Sequence, residues 1–285
     1  MPERLADIVT QIQNVRQLEA VVTAIRGIAA SRAQKARSLL AGIEAYTDVI
    51  SRSIGQALAL LPFDAPVSRP RSRTKRALIL FCAEQGFAGA YSERVLDAAA
   101  HELDQATVFM VGTRGMTVAH ERGIEPAWSA SMVSHVDAIP GFANQLAEAL
   151  YGFVATGAVA DVDILFSRSD AGAGTHVERH SLLPVDFERF GRPQQNLPPL
   201  ISASPEALLE SLAAEYVYAQ LCEAAMQAFV AENEARMLAM LAARTNIETK
   251  LGLLTRRERQ LRQEEITTEV VELAAGAEAS QANHH

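Results

Sequence analysis

Met237-Leu238-Ala239-Met240-Leu241-Ala242-Ala243-Arg244-Thr245-Asn246-Ile247-Glu248-Thr249-Lys250-Leu251-Gly252-Leu253-Leu254 repeats its apolar residues on one stripe. Met237, Met240, Ile247, Leu251 and Leu254 lie three, four or seven apart, and no proline interrupts them. That is the period of a helix packed along one side against a neighbour. The stripe extends backward through Leu208, Leu212, Ala219, Cys222, Met226 and Phe229, and forward through Leu261, Ile266, Val270 and Leu273. Its start is marked as well. Ser204 suits an N-cap, Pro205 the first turn, and Glu206 and Glu210 the positive helix end.

A second such stretch lies at the other end of the chain. Ile8, Ile12, Val15, Leu18, Val22, Ile25 and Ile28 recur at helical spacing, followed by Ala29, Ala36, Leu39, Ile43, Tyr46 and Ile50. Ten of the eleven prolines fall between Pro62 and Pro205, Pro2 being the other, so both ends are free of helix breakers. Helices of about 55 and 70 residues are roughly 80 and 105 Å long, more than a compact domain of this size can enclose. The two stripes predict an antiparallel pair of N- and C-terminal helices, with Ile25 near the neighbours of Leu261. Ala29, Ala30, Ser31 and Ala33 make one stretch slim enough for close backbone approach. Arg256 to Glu272 is polar around the seam.

Between the helices the pattern changes. Ala77 to Cys82 is a fully apolar run, a buried strand, and Thr107–Val111, Asp163–Phe166 and Val177–Val185 read as further strands. Helices are predicted at Ser92–Asp104, capped by Ser92, and at Phe142–Thr156. Alternating strands and helices indicate a Rossmann-like α/β domain with a parallel or mixed sheet. The resulting division is 1–61 long helix, 62–76 linker, 77–188 α/β domain, 189–204 linker, 205–278 long helix and 279–285 tail.

Composition narrows the function. The 285 residues are 49% hydrophobic with net charge −8, a poor match to nucleic-acid binding, which needs a basic face. No apolar run reaches the length of a membrane span, and no apolar signal core follows Met1, so the chain reads as cytosolic. Cys82 and Cys222 read as free, buried thiols.

Catalytic motifs are scarce. Glu84-Gln85-Gly86-Phe87-Ala88-Gly89-Ala90-Tyr91 sits between a buried strand and a helix, where doubly wound folds cradle phosphate. It has neither dinucleotide nor P-loop spacing, and a tight turn needing Gly86 and Gly89 explains it better. His176 and His180 lie four apart on a predicted strand, about 13 Å, too far to share a metal. The expectation is no catalytic site, no cofactor and no metal. The basic run Arg69 to Arg76 reads as a solvated linker.

Ala24-Ile25-Arg26-Gly27-Ile28-Ala29-Ala30-Ser31-Arg32 resembles the Ala-Met-x-x-Val-Ala-Ala-Ser-Lys stretch of the γ subunit of F-type ATP synthases. Glu234 to Met240 resembles that family's Ala-Ala-Arg-Met-x-Ala-Met, and Arg262 to Val270 its Arg-Gln-x-x-Ile-Thr-x-Glu-Leu. The similarity covers nearly the full length, strongest in the terminal helices. It implies a central-stalk rotor coupling rotation of a membrane ring to ATP synthesis or hydrolysis. The implied partners are the α and β subunits of the catalytic hexamer, the ε subunit and the c-ring, at the cytoplasmic face of a bacterial inner membrane. The α/β domain becomes the foot of the stalk. Ile25, Arg236, Arg262, Gln263, Thr267 and Glu269 become rotor–stator contacts, with Arg236, Thr267 and Glu269 at positions tied to coupling.

Departures point to a divergent branch. The family's Asp-Arg-Gly-Leu-Cys-Gly-Gly loop reads Glu84 to Ala90 here, the usual Asp of the C-terminal helix is Thr245, and Ala20-Val21-Val22-Thr23 replaces Lys-Ile-Thr-Lys. Two other classes remain: an α/β enzyme using Gly86 to Gly89 for a phosphate ligand, and a coiled-coil scaffold with no rotary role.

Overall fold

The structure, a computed structural model, describes residues 4–62, 75–170, 174–193 and 200–282. Most of the basic run at 69–76 therefore lies outside the described residues. The elements are α1 (Leu5–Ala59), β1 (Arg76–Phe81), α2 (Tyr91–Ala99), β2 (Thr107–Val111), α3 (Thr113–Glu121), β3 (Trp128–Ala130), α4 (Ile139–Ala155), β4 (Asp161–Asp170), β5 (Gly174–Leu183) and α5 (Pro205–Ala282). They form two compact units, residues 1–28 with 238–285, and residues 29–237. The division runs through both long helices.

In the smaller unit α1 and α5 pack side by side. Ile8 and Ile12 bury themselves with Leu254, and Val15, Leu251 and Leu261 close the cluster. Leu261 thus packs near the start of α1. About twenty residues of antiparallel helix, roughly 30 Å, separate it from the level of Ile25, so the expected Ile25–Leu261 proximity is not the register found. From Arg262 to Ala275 every residue of α5 is exposed, because α1 begins at Leu5 and has no more helix to offer. Ile266, Val270 and Leu273, predicted to continue the seam, therefore face solvent.

A 3.5-residue repeat of less exposed positions runs the length of α1, at 8, 12, 15, 19, 22, 26, 29, 33, 36, 40, 43, 47, 50, 54 and 57, with further less exposed residues beside it, among them Val9, Ile25, Ala30, Arg32, Gly55 and Leu58. Leu18, Ile28, Leu39 and Tyr46, counted on the apolar stripe from the sequence, fall outside it. Ala29, Ala33 and Ala36 are all buried on that repeat. Glu19, Arg26 and Thr47 fall on the same repeat and are half-buried although polar.

In the larger unit a five-stranded sheet runs β3-β2-β1-β4-β5, parallel except for the antiparallel edge pair β4–β5. Strand alternation sorts the side chains into two cores. Leu78, Leu80, Val108 and Met110 pack under α2 and α3 through Val95, Leu96, Val118 and Ala119. Ile79, Phe81, Phe109, Val111, Ile164 and Phe166 pack on the opposite face against α4 and the middle of α5. Helix α4 presents Ile139, Phe142, Ala143, Leu146, Ala147 and Leu150, a three–four stripe. The α5 stretch from Ala224 to Glu234 is buried on every side, since the sheet covers one flank and α1 another. Four alanines in that stretch, Ala224, Ala225, Ala228 and Ala231, leave room for both.

Here too α1 and α5 run antiparallel. Arg37 pairs with Glu234, the Tyr46 hydroxyl donates to Glu215, and Ile54 and Leu58 share a cluster with Leu209, so α1 numbers rise as α5 numbers fall. Gly55 lets the 189–193 segment settle on α1, because a Cβ there would lie 2.3 Å from the Gly191 carbonyl oxygen.

Several boundaries differ from expectation. Strand β1 begins at Arg76, whose guanidinium binds Asp163 and Glu102, each at 2.6 Å, so Arg76 is structure rather than linker. Helix α4 starts three residues early, and α2 ends at Ala99. Helix α3 and strand β3 have no counterpart among the expected elements. Ser204 caps α5 as expected, its hydroxyl accepting the Ala207 N–H at 3.2 Å with Pro205 in the first helical position. Ser92 does not cap α2. It is buried, and its hydroxyl accepts the Ala83 N–H at 3.1 Å, fastening the helix to the end of β1.

Candidate functional site

The loop from Glu84 to Ala90 leaves the C-terminal end of β1, the edge where open α/β sheets bind ligands. Carboxylates from the loop and from α5 fill the positions a phosphate would need. Glu84 accepts the Thr113 N–H at 2.9 Å and the Met132 N–H at 2.8 Å, and the Thr113 hydroxyl at 2.9 Å. Thr113 is the first residue of α3, so the carboxylate sits at that helix's positive end. Glu232 of α5 accepts the backbone N–H groups of Glu84 and Gln85, both at 3.2 Å. A phosphate approaching this loop would meet two carboxylates and amides already engaged. The phosphate-cradle alternative therefore fails on electrostatics.

Glycine is needed here, but elsewhere than expected. Gly86 has an ordinary φ, and a Cβ on it would meet nothing. Gly89 adopts φ +60, and Phe87 takes φ +64 without being glycine. Near the loop, the crowded glycines are Gly112, just before α3, and Gly115 within it. At Gly115 a Cβ would lie 2.1 Å from the Cys82 Cβ, and at Gly112, φ +104, 2.5 Å from the Cys82 carbonyl oxygen. These two let α3 close over the end of β1. Cys82 is buried beneath it, and burial pushes its thiol up to about 12.

Arg236 is 5% exposed. Its Nε donates to the Gly86 carbonyl oxygen at 3.1 Å, and Nη2 to the Gln85 carbonyl oxygen at 3.1 Å and to Glu232 at 2.5 Å. Nη1 donates to Asn233 Oδ1 at 3.3 Å. One turn further back, the Tyr91 hydroxyl donates to the Ala228 carbonyl oxygen at 3.1 Å. Residues 228, 232 and 236 thus form one stripe of α5 turned toward the loop. Expected as a stator contact, Arg236 instead spends its guanidinium on its own chain, buried and bonded on both sides. Sequence inspection missed Glu232 and Glu84. The signal was an i, i+4 acid–base pair closing an alanine-rich, wholly buried helix segment.

The other expected contact residues lie in the smaller unit. Ile25 is half-buried on α1. Arg262, Gln263, Thr267 and Glu269 are exposed on the part of α5 that has no helical neighbour among the described residues. The Arg262 guanidinium reaches back to Glu258 at 2.7 Å, and the Thr267 hydroxyl donates to the Gln263 carbonyl oxygen at 2.8 Å. Arg262, Gln263, Thr267 and Glu269 thus share one exposed run of α5 in the smaller unit, whereas Arg236 belongs to the larger one.

Among the described residues, no helix is long and apolar enough to cross a membrane. A family model described as ATP synthase matches residues 4–279. The chain is 28% identical over 287 residues to the ATP synthase gamma chain of Beutenbergia cavernae, covering 96% of this chain and 97% of that one. It is 25% identical over 280 residues to the gamma chain of Moorella thermoacetica, covering 96% and 98%. Among solved structures it is similar to a chain of the Euglena gracilis mitochondrial ATP synthase OSCP/F1/c-ring assembly, with TM-score 0.67, 14% identity and coverage of 99% and 96%. A chain of the Tetrahymena thermophila mitochondrial ATP synthase central stalk/c-ring gives TM-score 0.54 at 14% identity, covering 78% of this chain and 99% of that one.

Proposed function

The chain belongs to the ATP synthase family, and we propose that it is the γ subunit, the central-stalk rotor of an F-type ATP synthase or ion-translocating ATPase. The observation that carries the proposal is the bare run of α5 from Arg262 to Ala275. A single helix without packing is marginal in water, and i, i+4 pairs such as Arg262–Glu258 add only about 0.2–0.5 kcal/mol each. Such a segment gains its order from a surrounding partner. Its exposed Ile266, Val270 and Leu273 share one face, and Arg262, Gln263, Thr267 and Glu269 lie among them. A ring of α and β subunits supplies an apolar collar for the first set and polar contacts for the second, with Ile25 meeting the ring from α1.

The subunit has no catalytic site of its own. Its asymmetric surface contacts otherwise equivalent nucleotide sites differently, so rotation shifts each site between conformations by differential binding. The α/β domain of the larger unit is the foot, bound by the ε subunit and the c-ring. The complex is peripheral, on the cytoplasmic face of a bacterial inner membrane, and moves protons or sodium ions. Copurification tests the assignment. The chain expressed with its neighbours is expected to bring down P-loop α- and β-type subunits in a complex that hydrolyses ATP. Recovery of the chain without them would overturn it.

A further inference from the structure

We infer that Glu232 and Arg236 form a latch that locks the α/β domain against rolling around α5, which makes Glu232 a positioning residue for torque transfer. The inference rests on the rotor function proposed above. The middle of α5 meets the sheet through Ala224, Ala225, Met226, Ala228, Phe229 and Val230. Burial of such residues is favourable but non-directional, so small side chains resist separation far better than they resist rotation of a helix about its axis. A rotor needs the second kind of resistance.

The directional bonds concentrate at one place. Glu232 accepts two loop amides while Arg236 donates to two loop carbonyls, so both polarities of the Glu84–Gly86 backbone are gripped from a single helix turn. Both side chains are about 6% exposed, so water does not compete for these bonds. The Glu232–Arg236 bond fixes the two arms relative to each other. The grip continues inward, because the Glu84 carboxylate holds the first amide of α3 and the Met132 amide after β3. Turning α5 would thus pull on the loop, α3 and the β3 edge together.

The pair has a polarity that an ordinary helix ion pair lacks. Exchanging the residues (Glu232→Arg with Arg236→Glu) keeps an i, i+4 salt bridge but presents donors to amides and acceptors to carbonyls. The test uses the assembled complex in membrane vesicles, measuring ATP hydrolysis, ATP-driven ion transport, and hydrogen exchange at the Glu84 and Gln85 amides. Glu232→Gln is expected to raise exchange at those amides about tenfold and to abolish most transport while hydrolysis continues. The exchanged pair is expected to behave no better. A disulfide between Ala88→Cys and Ala231→Cys, buried neighbours in one small cluster, is expected to restore transport in Glu232→Gln when oxidised and lose it when reduced. Wild-type transport per ATP in Glu232→Gln or in the exchanged pair would overturn the latch, as would failure of the oxidised crosslink to restore it. If the wild-type chain forms no complex with nucleotide-binding subunits, the rotor function falls and the latch's role with it. If that complex couples and the variants couple equally, only the latch falls.

Discussion

The Glu84 carboxylate accepts the backbone N–H of Thr113 at 2.9 Å, so the positive end of α3 is occupied by an anion from the chain itself. Removing it leaves the Thr113 and Met132 amides without their acceptor. Glu84→Ala is expected to destabilise the chain by about 1–3 kcal/mol, the usual cost of orphaned polar groups, read as a lower urea midpoint. Millimolar ATP or inorganic phosphate is expected to leave the wild-type melting temperature unchanged, since a ligand stabilises only by binding the native state. A concentration-dependent rise would return the loop to the list of ligand sites.

The glycines give a sharper contrast. Gly115→Ala places a methyl 2.1 Å from the Cys82 Cβ and 3.4 Å from its Cα, a Cβ fixed to the backbone that cannot swing away. Overpacking of this kind costs about 1–3 kcal/mol or more. Gly86→Val, which the sequence marks as damaging, meets open space at an ordinary φ and is expected to stay within about 0.5 kcal/mol of wild type. Thermal or chemical denaturation of the two variants side by side checks both. Equal stability would show that α3 does not close over β1 as described.

Acid sensitivity follows from the four-charge cluster on the sheet. Burial pushes the Asp163 carboxyl up, but hydrogen bonds from Arg76 and Arg179 outweigh it and hold it below the usual carboxylate range. The bond from Arg179 likewise lowers Glu102. Both groups have folded values below their unfolded ones, so their stabilisation is present above the unfolded carboxylate range. It is lost as pH falls through the folded values. Stability is therefore expected to drop below about pH 5, and Asp163→Asn is expected to flatten that slope while lowering stability at neutral pH. An unchanged acid limb in the variant would remove the cluster as its cause.

The terminal helices and the sheet strands were legible because hydrophobic period and proline placement are local signals. Residues such as Ala77 to Cys82 can be read without knowing their neighbours. The register was not legible. A seam of alternating threes and fours tolerates several phases, and the one adopted buries the small side chains of Ala29, Ala33 and Ala36 rather than the larger ones of Ile28 and Leu39. Ile28 looks as apolar as Ile25 in the sequence, yet it points outward. Helix α3 escaped notice because Thr113 to Glu121 has only Gly115, Val118 and Ala119 to bury, too few for a clear period. The Glu232–Arg236 pair was visible as an acid–base spacing, but its targets are backbone atoms about 150 residues away, which no spacing rule reveals.

Register itself can be tested. Cysteines replacing Ile12 and Leu254, buried in one cluster, are expected to crosslink under mild oxidation, whereas cysteines replacing Ile25 and Leu261 are expected not to. Efficient crosslinking of the second pair would shift the helices by several turns against the arrangement described.

The last expectation concerns the free end of α5. Arg262 and Gln263 are exposed, and within the chain Arg262 reaches Glu258 of its own helix at 2.7 Å. Replacing both by alanine removes at most a surface i, i+4 pair and keeps high helix propensity, so the stability of the isolated chain is expected to hold within about 0.5 kcal/mol. On the proposed rotor–stator contact, the same change in the assembled complex would remove charge-assisted bonds to the surrounding ring, worth about 1.5–3 kcal/mol each. Because the rotor meets successive sites in turn, that loss falls on the steps where the contact forms, and ATP turnover is expected to fall about tenfold. The comparison separates the two roles, because a folding defect would move both measurements and a lost contact only the second. Unchanged turnover in a correctly assembled complex would show that Arg262 and Gln263 touch no partner.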